Sequence, residues 1–197
     1  MSLQIHSWDL EDFFLIPQEP AIASDFFQKV VMGANAFILE FPLSILGSFS
    51  SIKILEAFDI ECLENQNVKE VFDELISAEA NWPATIIKIV FISYICLIGP
   101  IFEEYIFREE MQTNFKDFQK DSDSVHHKIL RVAFNGCIFG ACHLHPSQGW
   151  ANVPIFVATS IGGIFYSALR ERTEDITASS TAHILHNSAA TLHWLLV

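Results

Sequence analysis

Apolar residues run in long blocks along this chain, with the charged residues collected between them. A helix rises about 1.5 Å per residue, so about 20 apolar residues cross a hydrocarbon layer about 30 Å thick. Five blocks approach that length. The first covers residues 27–52 and is interrupted by Lys29, Glu40 and Pro42. The second, 84–107, carries only Lys88 before Glu103. Residues 131–152 and 153–169 are two more, parted near Pro146, Gly149 and Pro154, and 176–197 are the last. Between them, 53–83 is charged, with Val68, Val71, Phe72, Leu75 and Ile76 at helical spacing, which predicts an amphipathic helix outside the hydrocarbon. Residues 109–130 predict a polar loop, and Arg170–Asp175 a short charged turn. The fold class expected is therefore all-α, a polytopic membrane helical bundle of about five spans plus a short amphipathic helix. Two regions are expected: residues 1–83, an acidic segment holding the first span and the amphipathic helix, and a core over 84–197.

Composition strengthens this reading. Hydrophobic residues make up 51% of the chain and charged residues 18%, which excludes disorder and is unlike an ordinary soluble domain. The 11 basic residues stand against 24 acids, so no phosphate-binding face can be built, and nucleic acid is excluded as a partner. No Asp, Glu, Lys or Arg occurs from Val132 to Leu169 or from Ile176 to Val197. The bilayer is the expected partner of such blocks. Arg108, Lys116, Lys120, Lys128 and Arg131 flank one loop, and Arg170 and Arg172 sit in another. The positive-inside rule puts both loops on the cytoplasmic side of a multi-pass protein. The start of the chain, with Trp8-Asp9-Leu10-Glu11-Asp12-Phe13-Phe14, lacks the basic region of a secretory signal, so insertion is expected to rely on the internal spans. Cys62, Cys96, Cys137 and Cys142 form no CxxC pair.

Ionisable side chains inside a span are costly, which makes them candidates for function. Three groups qualify. At the end of the second block, Glu104 and Arg108 are four residues apart and can pair, which leaves Glu103 pointing elsewhere without an arginine. In the charge-free block, Gly136, Gly140 and His143 fall on one helical face, and the two glycines allow a close helix contact. In the last block, His183 and Asn187 are one turn apart and could aim two donors at one point, as an oxyanion requires. His186, about 60° around the helix from His183, competes for the same place. His145 is expected near the interface. On spacing alone each group also reads as polar glue between helices.

Other chemistries fit less well. HExxH, GxSxG and a phosphate-binding loop are absent. Glu and His could ligate zinc, but Asn is a poor ligand and no zinc-protease spacing accompanies the glutamates. A proton-coupled transporter would call for inverted repeats, which the sequence lacks.

The three groups, in this order, resemble the CPBP family of intramembrane proteases, which includes the CAAX prenyl endopeptidases and bacteriocin-processing enzymes and is also called Abi. Its pattern of EExxxR, FxxxH and HxxxN appears as Glu103-Glu104-Tyr105-Ile106-Phe107-Arg108, Phe139-Gly140-Ala141-Cys142-His143 and His183-Ile184-Leu185-His186-Asn187. The flanks Gly99-Pro100-Ile101-Phe102 and Ala168-Leu169-Arg170-Glu171-Arg172-Thr173 are also similar. The resemblance covers about residues 84–192, and it implies a membrane-embedded endopeptidase of glutamic type. Glu103 would activate water with help from His143. His183 and Asn187 would form the oxyanion hole, with Glu104 and Arg108 in support. The scheme needs no metal and no other cofactor. The implied partner is a peptide or protein substrate at the membrane, carrying either a prenylated CAAX end or a leader-type sequence. A metal-dependent protease and an inactive scaffold of the same fold remain alternatives. One departure is that Glu109 and Glu110 follow Arg108, where the family usually has a small residue, often Gly.

This scheme needs its residues around one cavity. It therefore predicts that the helix through Glu103, kinked at Pro100, continues to about residue 113, and that the helix of His143 runs to about residue 150. Carboxylate-to-imidazole distances of about 3–7 Å follow.

Overall fold

The computed structural model of the chain describes residues 25–61, Glu74, Ser77, 82–120 and 122–196. The segment before Asp25 and the amphipathic stripe at Val68, Val71, Phe72, Leu75 and Ile76 lie outside the described residues. Among the described residues the regular structure is helical. Helix α1 spans Asp25–Ala57 and the long helix α2 spans Trp82–Phe118. Helix α3 spans Val125–Ala141, and after a 3-10 turn at Pro146–Ala151 helix α4 runs over Asn152–Thr173. Helix α5 covers Thr177–Leu196. Helix α4 is central and packs against α3, α1 and α5.

Polarity is distributed inside out relative to a soluble domain. The buried face of α1 is Gly33, Ala36, Glu40, Ser44, Ser51 and Leu55, at helical spacing, while Ile38, Leu39, Ile45, Leu46 and Phe49 face outward. On α2, Ile86, Ile87, Ile89 and Val90 are exposed, while Glu104, Arg108 and Gln112 are buried. This suits lipid, where apolar side chains gain nothing by leaving the surroundings and helices associate through small residues and polar contacts. Helices α1, α2 and Pro146–Thr173 are long and apolar enough to cross a membrane. Helix α3 is shorter, at 17 residues, and α5 bears a more polar inner face. The protein is an integral membrane helical bundle.

The glycines of α3 account for its contact with α4. A Cβ on Gly136 would lie 2.5 Å from Ile164 Cγ1 and 2.7 Å from the Ile164 amide nitrogen, and one on Gly140 would strike Ser160. The close approach therefore depends on both positions. At the polar end, Arg131 of α3 forms a two-pronged ion pair with Glu171 of α4 at 2.6 Å per prong, and Gln112 of α2 donates to the same carboxylate at 2.7 Å.

Several boundaries differ from those expected. The helix through Glu103 continues past residue 113, as the site geometry called for, and on to Phe118 where a loop was expected, so α2 has 37 residues and is about 55 Å long. It outruns the hydrocarbon, and its polar end holds on through packing, with Gln112 buried and Phe115 edge-on to Phe134 at 5.0 Å. Conversely, α3 ends at Ala141, well short of residue 150, and His143 follows the helix instead of lying in its middle. Pro146 prevents the helix from running on toward residue 150, because a residue before proline is pushed out of the helical region. His145 is accordingly extended, at φ −128 and ψ 131. The expected spans 131–152 and 153–169 are thus 125–141 and 152–173.

Candidate active site

Two wide, π-helical turns in α2, Tyr94–Ile98 and Tyr105–Met111, flank the short segment Gly99–Glu104 that carries both glutamates. Glu103 is half-buried and reaches toward two imidazoles. Its Oε2 lies 3.8 Å from His143 Nε2 and 3.8 Å from His183 Nε2. Both distances fall in the expected range. Neither is a direct hydrogen bond, and Oε2 is buried without a hydrogen-bond partner. The imidazoles come from the turn after α3 and from α5, and they are held differently. His143 Nδ1 is 2.7 Å from the Phe139 carbonyl. A carbonyl only accepts, so Nδ1 carries the hydrogen and Nε2, facing Glu103, is the acceptor in the neutral ring. His183 Nδ1 is 3.0 Å from Glu104 Oε1, which is fully buried.

Glu104 therefore serves two partners. Arg108 Nε is 3.4 Å from its Oε2, the pairing expected from the four-residue spacing. Arg108 is itself fully buried, donates to the Gly163 carbonyl at 3.0 Å and lies over the Phe139 ring at 4.5 Å from its centroid. Tyr166 of α4 stacks on the His183 ring at 4.7 Å and 19°. Ring, carboxylate and guanidinium together restrain His183 in orientation. Asn135 of α3 adds a cross-link by donating to the Phe107 carbonyl at 2.7 Å.

Asn187 sits one turn beyond His183, and its Nδ2 donates to the Ile95 carbonyl of α2 at 3.0 Å. The local sequence explains why that carbonyl accepts. In the π-turn the Gly99 amide bonds to Tyr94, so the next amide in the pattern would serve Ile95. That residue is Pro100, which has no N–H. Asn187 supplies the missing donor and keeps a second amide hydrogen for other use. His143, His183, His186 and Asn187 line one cavity of about 310 Å³, with Tyr166 and Trp194 among the other walls.

The remaining candidates lie elsewhere. His145 is exposed and bonded to Ser147, and Cys142 is exposed. Glu109 turns to Arg170 of α4 at 3.2 Å and Glu110 accepts from Tyr105 at 2.8 Å, so neither extra acid points at the imidazoles. Sequence reasoning missed Tyr166, which no spacing distinguishes from a packing aromatic. It also passed over Glu40 as a mere interruption of the first span. The available signal was Ser44, one turn further on, which donates to Glu40 Oε1 at 2.6 Å. Among the described residues no three His, Cys, Asp or Glu side chains are arranged to hold a metal ion.

Ionisable groups are expensive to keep within lipid-facing helices, and their convergence here marks a candidate site inside an integral membrane protein. The chain belongs to the family described as Type II CAAX prenyl endopeptidase Rce1-like, whose model matches residues 85–189, just over half of its length. That is a family of proteases, and it implies a peptide substrate at the membrane. No curated protein and no solved structure matches the chain.

Proposed function

We propose that this protein hydrolyses a peptide bond of a membrane-associated substrate, using water activated by Glu103 and His143. The observation that carries the reading is the position of Glu103 Oε2, 3.8 Å from both Nε2 atoms. One water oxygen can lie within hydrogen-bond reach of all three groups. Glu103 and the acceptor nitrogen of His143 draw off its proton as the oxygen attacks the carbonyl carbon. His183, with Nδ1–H committed to Glu104, donates from Nε2 to the developing oxyanion as an imidazolium. The second amide hydrogen of Asn187 is the other donor. Such donors are worth about 2.7–4 kcal/mol each in transition-state stabilisation when aimed before the reaction begins. Glu104 and Arg108 hold the geometry and do not touch the substrate. The apolar cavity walls around Ala158, Ala190 and Trp194 suit a lipid-modified or strongly apolar chain end. The basic loops are on the cytoplasmic side in this reading.

The test is cleavage of prenylated CAAX peptides and unprenylated leader-type peptides by the protein in lipid nanodiscs. Wild type should cut one class, and Glu103→Gln should lose turnover by at least about 1,000-fold while keeping its elution profile. Equal rates for the two proteins would refute the assignment.

A further inference from the structure

A second carboxylate–imidazole pair reaches the same cavity, its imidazole from within the segment that the family model covers and its carboxylate from α1, outside that segment. Glu40 of α1 is fully buried, and both of its oxygens lie 3.0 Å from Nδ1 of His186 on α5. Ser44 donates to Glu40, and Phe41 packs edge-on against the imidazole at 5.2 Å and 84°. Gly162 of α4 keeps room for the carboxylate. A Cβ there would be 3.1 Å from Glu40 Oε1 and 3.3 Å from Tyr166 Oη. The pair is buried at one end only, because His186 remains 24% exposed and lines the cavity with His143, His183 and Asn187. Polar glue between two helices has no need of an open end.

The chemistry of the pair specifies what it presents. An uncompensated charge is costly inside a bundle, which favours a pair that is neutral as a whole. It is then either a carboxylate with an imidazolium or a carboxyl donating to a neutral imidazole. In both arrangements Nδ1 is engaged by Glu40 and Nε2 carries a hydrogen. The cavity thus meets an acceptor nitrogen at His143 and a hydrogen-bearing nitrogen at His186, about 4.5 Å further along α5 than His183.

We propose that His186, positioned by Glu40, is the general acid that protonates the departing amine. The inference rests on the peptidase reading above. Water oxygen bonds to the carbonyl carbon while its proton goes to Glu103 or His143. The C–N bond then breaks with its electron pair going to nitrogen, and that nitrogen takes the Nε2 proton of His186. The Glu40–His186 pair is left with one negative charge, which the proton held at Glu103 or His143 neutralises. The sum is one water added across one amide, giving a carboxylic acid and an amine. Glu40 is a positioning residue, since it acts only through His186.

The experiment compares a cleaved peptide with a para-nitrophenyl ester of the same acyl segment. Nitrophenolate leaves without a proton, so only the peptide needs the acid. His186→Gln should lose about 100-fold or more on the peptide and less than about 3-fold on the ester. Glu40→Gln should show the same selectivity with a loss of about 10-fold or more, and Glu103→Gln should lose both reactions. Equal losses on both substrates for His186→Gln, or no loss, would overturn the proposal and leave Glu103 to return its own proton. Retention of peptide cleavage by Glu103→Gln would instead sink the assignment of Glu103 on which the proposal rests. If either variant fails to elute as wild type does, Ser44→Ala decides. It removes one hydrogen bond from Glu40 but keeps the pair, and a loss confined to the peptide supports the proposal, whereas none overturns it.

Discussion

Replacing Glu104 with Gln keeps the shape of the side chain and removes its charge. Arg108 and Glu104 are both fully buried, so solvent cannot replace the lost partner. Arg108 would keep its hydrogen bond to Gly163 and its place over Phe139, but Nη1 already lacks a hydrogen-bond partner. Two magnitudes compete here. A neutral hydrogen bond between membrane helices averages about 0.6 kcal/mol, because the unfolded chain in lipid finds other partners. Stranding a buried charge by removing its counter-ion costs about 3–5 kcal/mol. The second governs, because the arginine remains. The variant should therefore lose about 3 kcal/mol, which is a factor of about 100 in the folded-to-unfolded ratio. Adding Arg108→Met removes the stranded charge and should recover at least about half of the loss, a coupling that additive effects cannot give. Unfolding titrations in mixed micelles, run on wild type, both single variants and the double variant, measure all four corners. A Glu104→Gln loss below about 1 kcal/mol, or a double variant no better than the worse single one, would refute the claim that charge pairing holds this wall of the site.

Three further outcomes follow from other parts of the molecule. Gly136→Val should push α3 away from Ile164 and cost about 1–3 kcal/mol in the same titration, while Val132→Ala, on the same helix, should cost less. Thorough chelation should leave peptide cleavage unchanged if Glu103 and His143 alone activate water; loss of rate restored by one equivalent of zinc would favour the metal alternative. Asp175, in the turn between α4 and α5, gives a pH effect. Burial tends to raise its carboxyl, but hydrogen bonds from Lys29 of α1 and from the Thr177 amide outweigh that and hold it below the ordinary value of 3.8. A depressed carboxyl stabilises the fold above its ordinary value and loses that contribution as pH falls through its folded value. Amide exchange at the first turns of α1 and α5 should therefore quicken below about pH 3.8 relative to the intrinsic rate, and Asp175→Asn should show the quickened exchange already at neutral pH.

The sequence by itself determined the class of fold and offered Glu103, Glu104, Arg108, His143, His183 and Asn187 as candidates for a site. Charge-free blocks of span length leave the chain little choice but lipid, since no soluble core could take up so many apolar faces. The i,i+4 spacing of Glu104 and Arg108, and of His183 and Asn187, follows from the helix repeat alone, so local periodicity made the ion pair and the shared face legible. The close contact through Gly136 and Gly140 was readable for the same reason. Only the tertiary structure decided which partners meet across helices. Nothing local to Glu40 points to His186, 146 residues away. Nothing in the Asn187 segment announces that an orphaned carbonyl at Ile95 will claim one of its hydrogens. Element ends were also set from outside the element. Packing of Gln112 and Phe115 carries α2 past its apolar block, whereas Pro146 keeps α3 from running on to residue 150. In lipid the apolar pattern says which residues cross, but it is nearly uniform around each helix and cannot say which faces turn inward. The few buried polar groups decide that, because each must find a partner, and a partner on another helix exists only once the bundle has assembled.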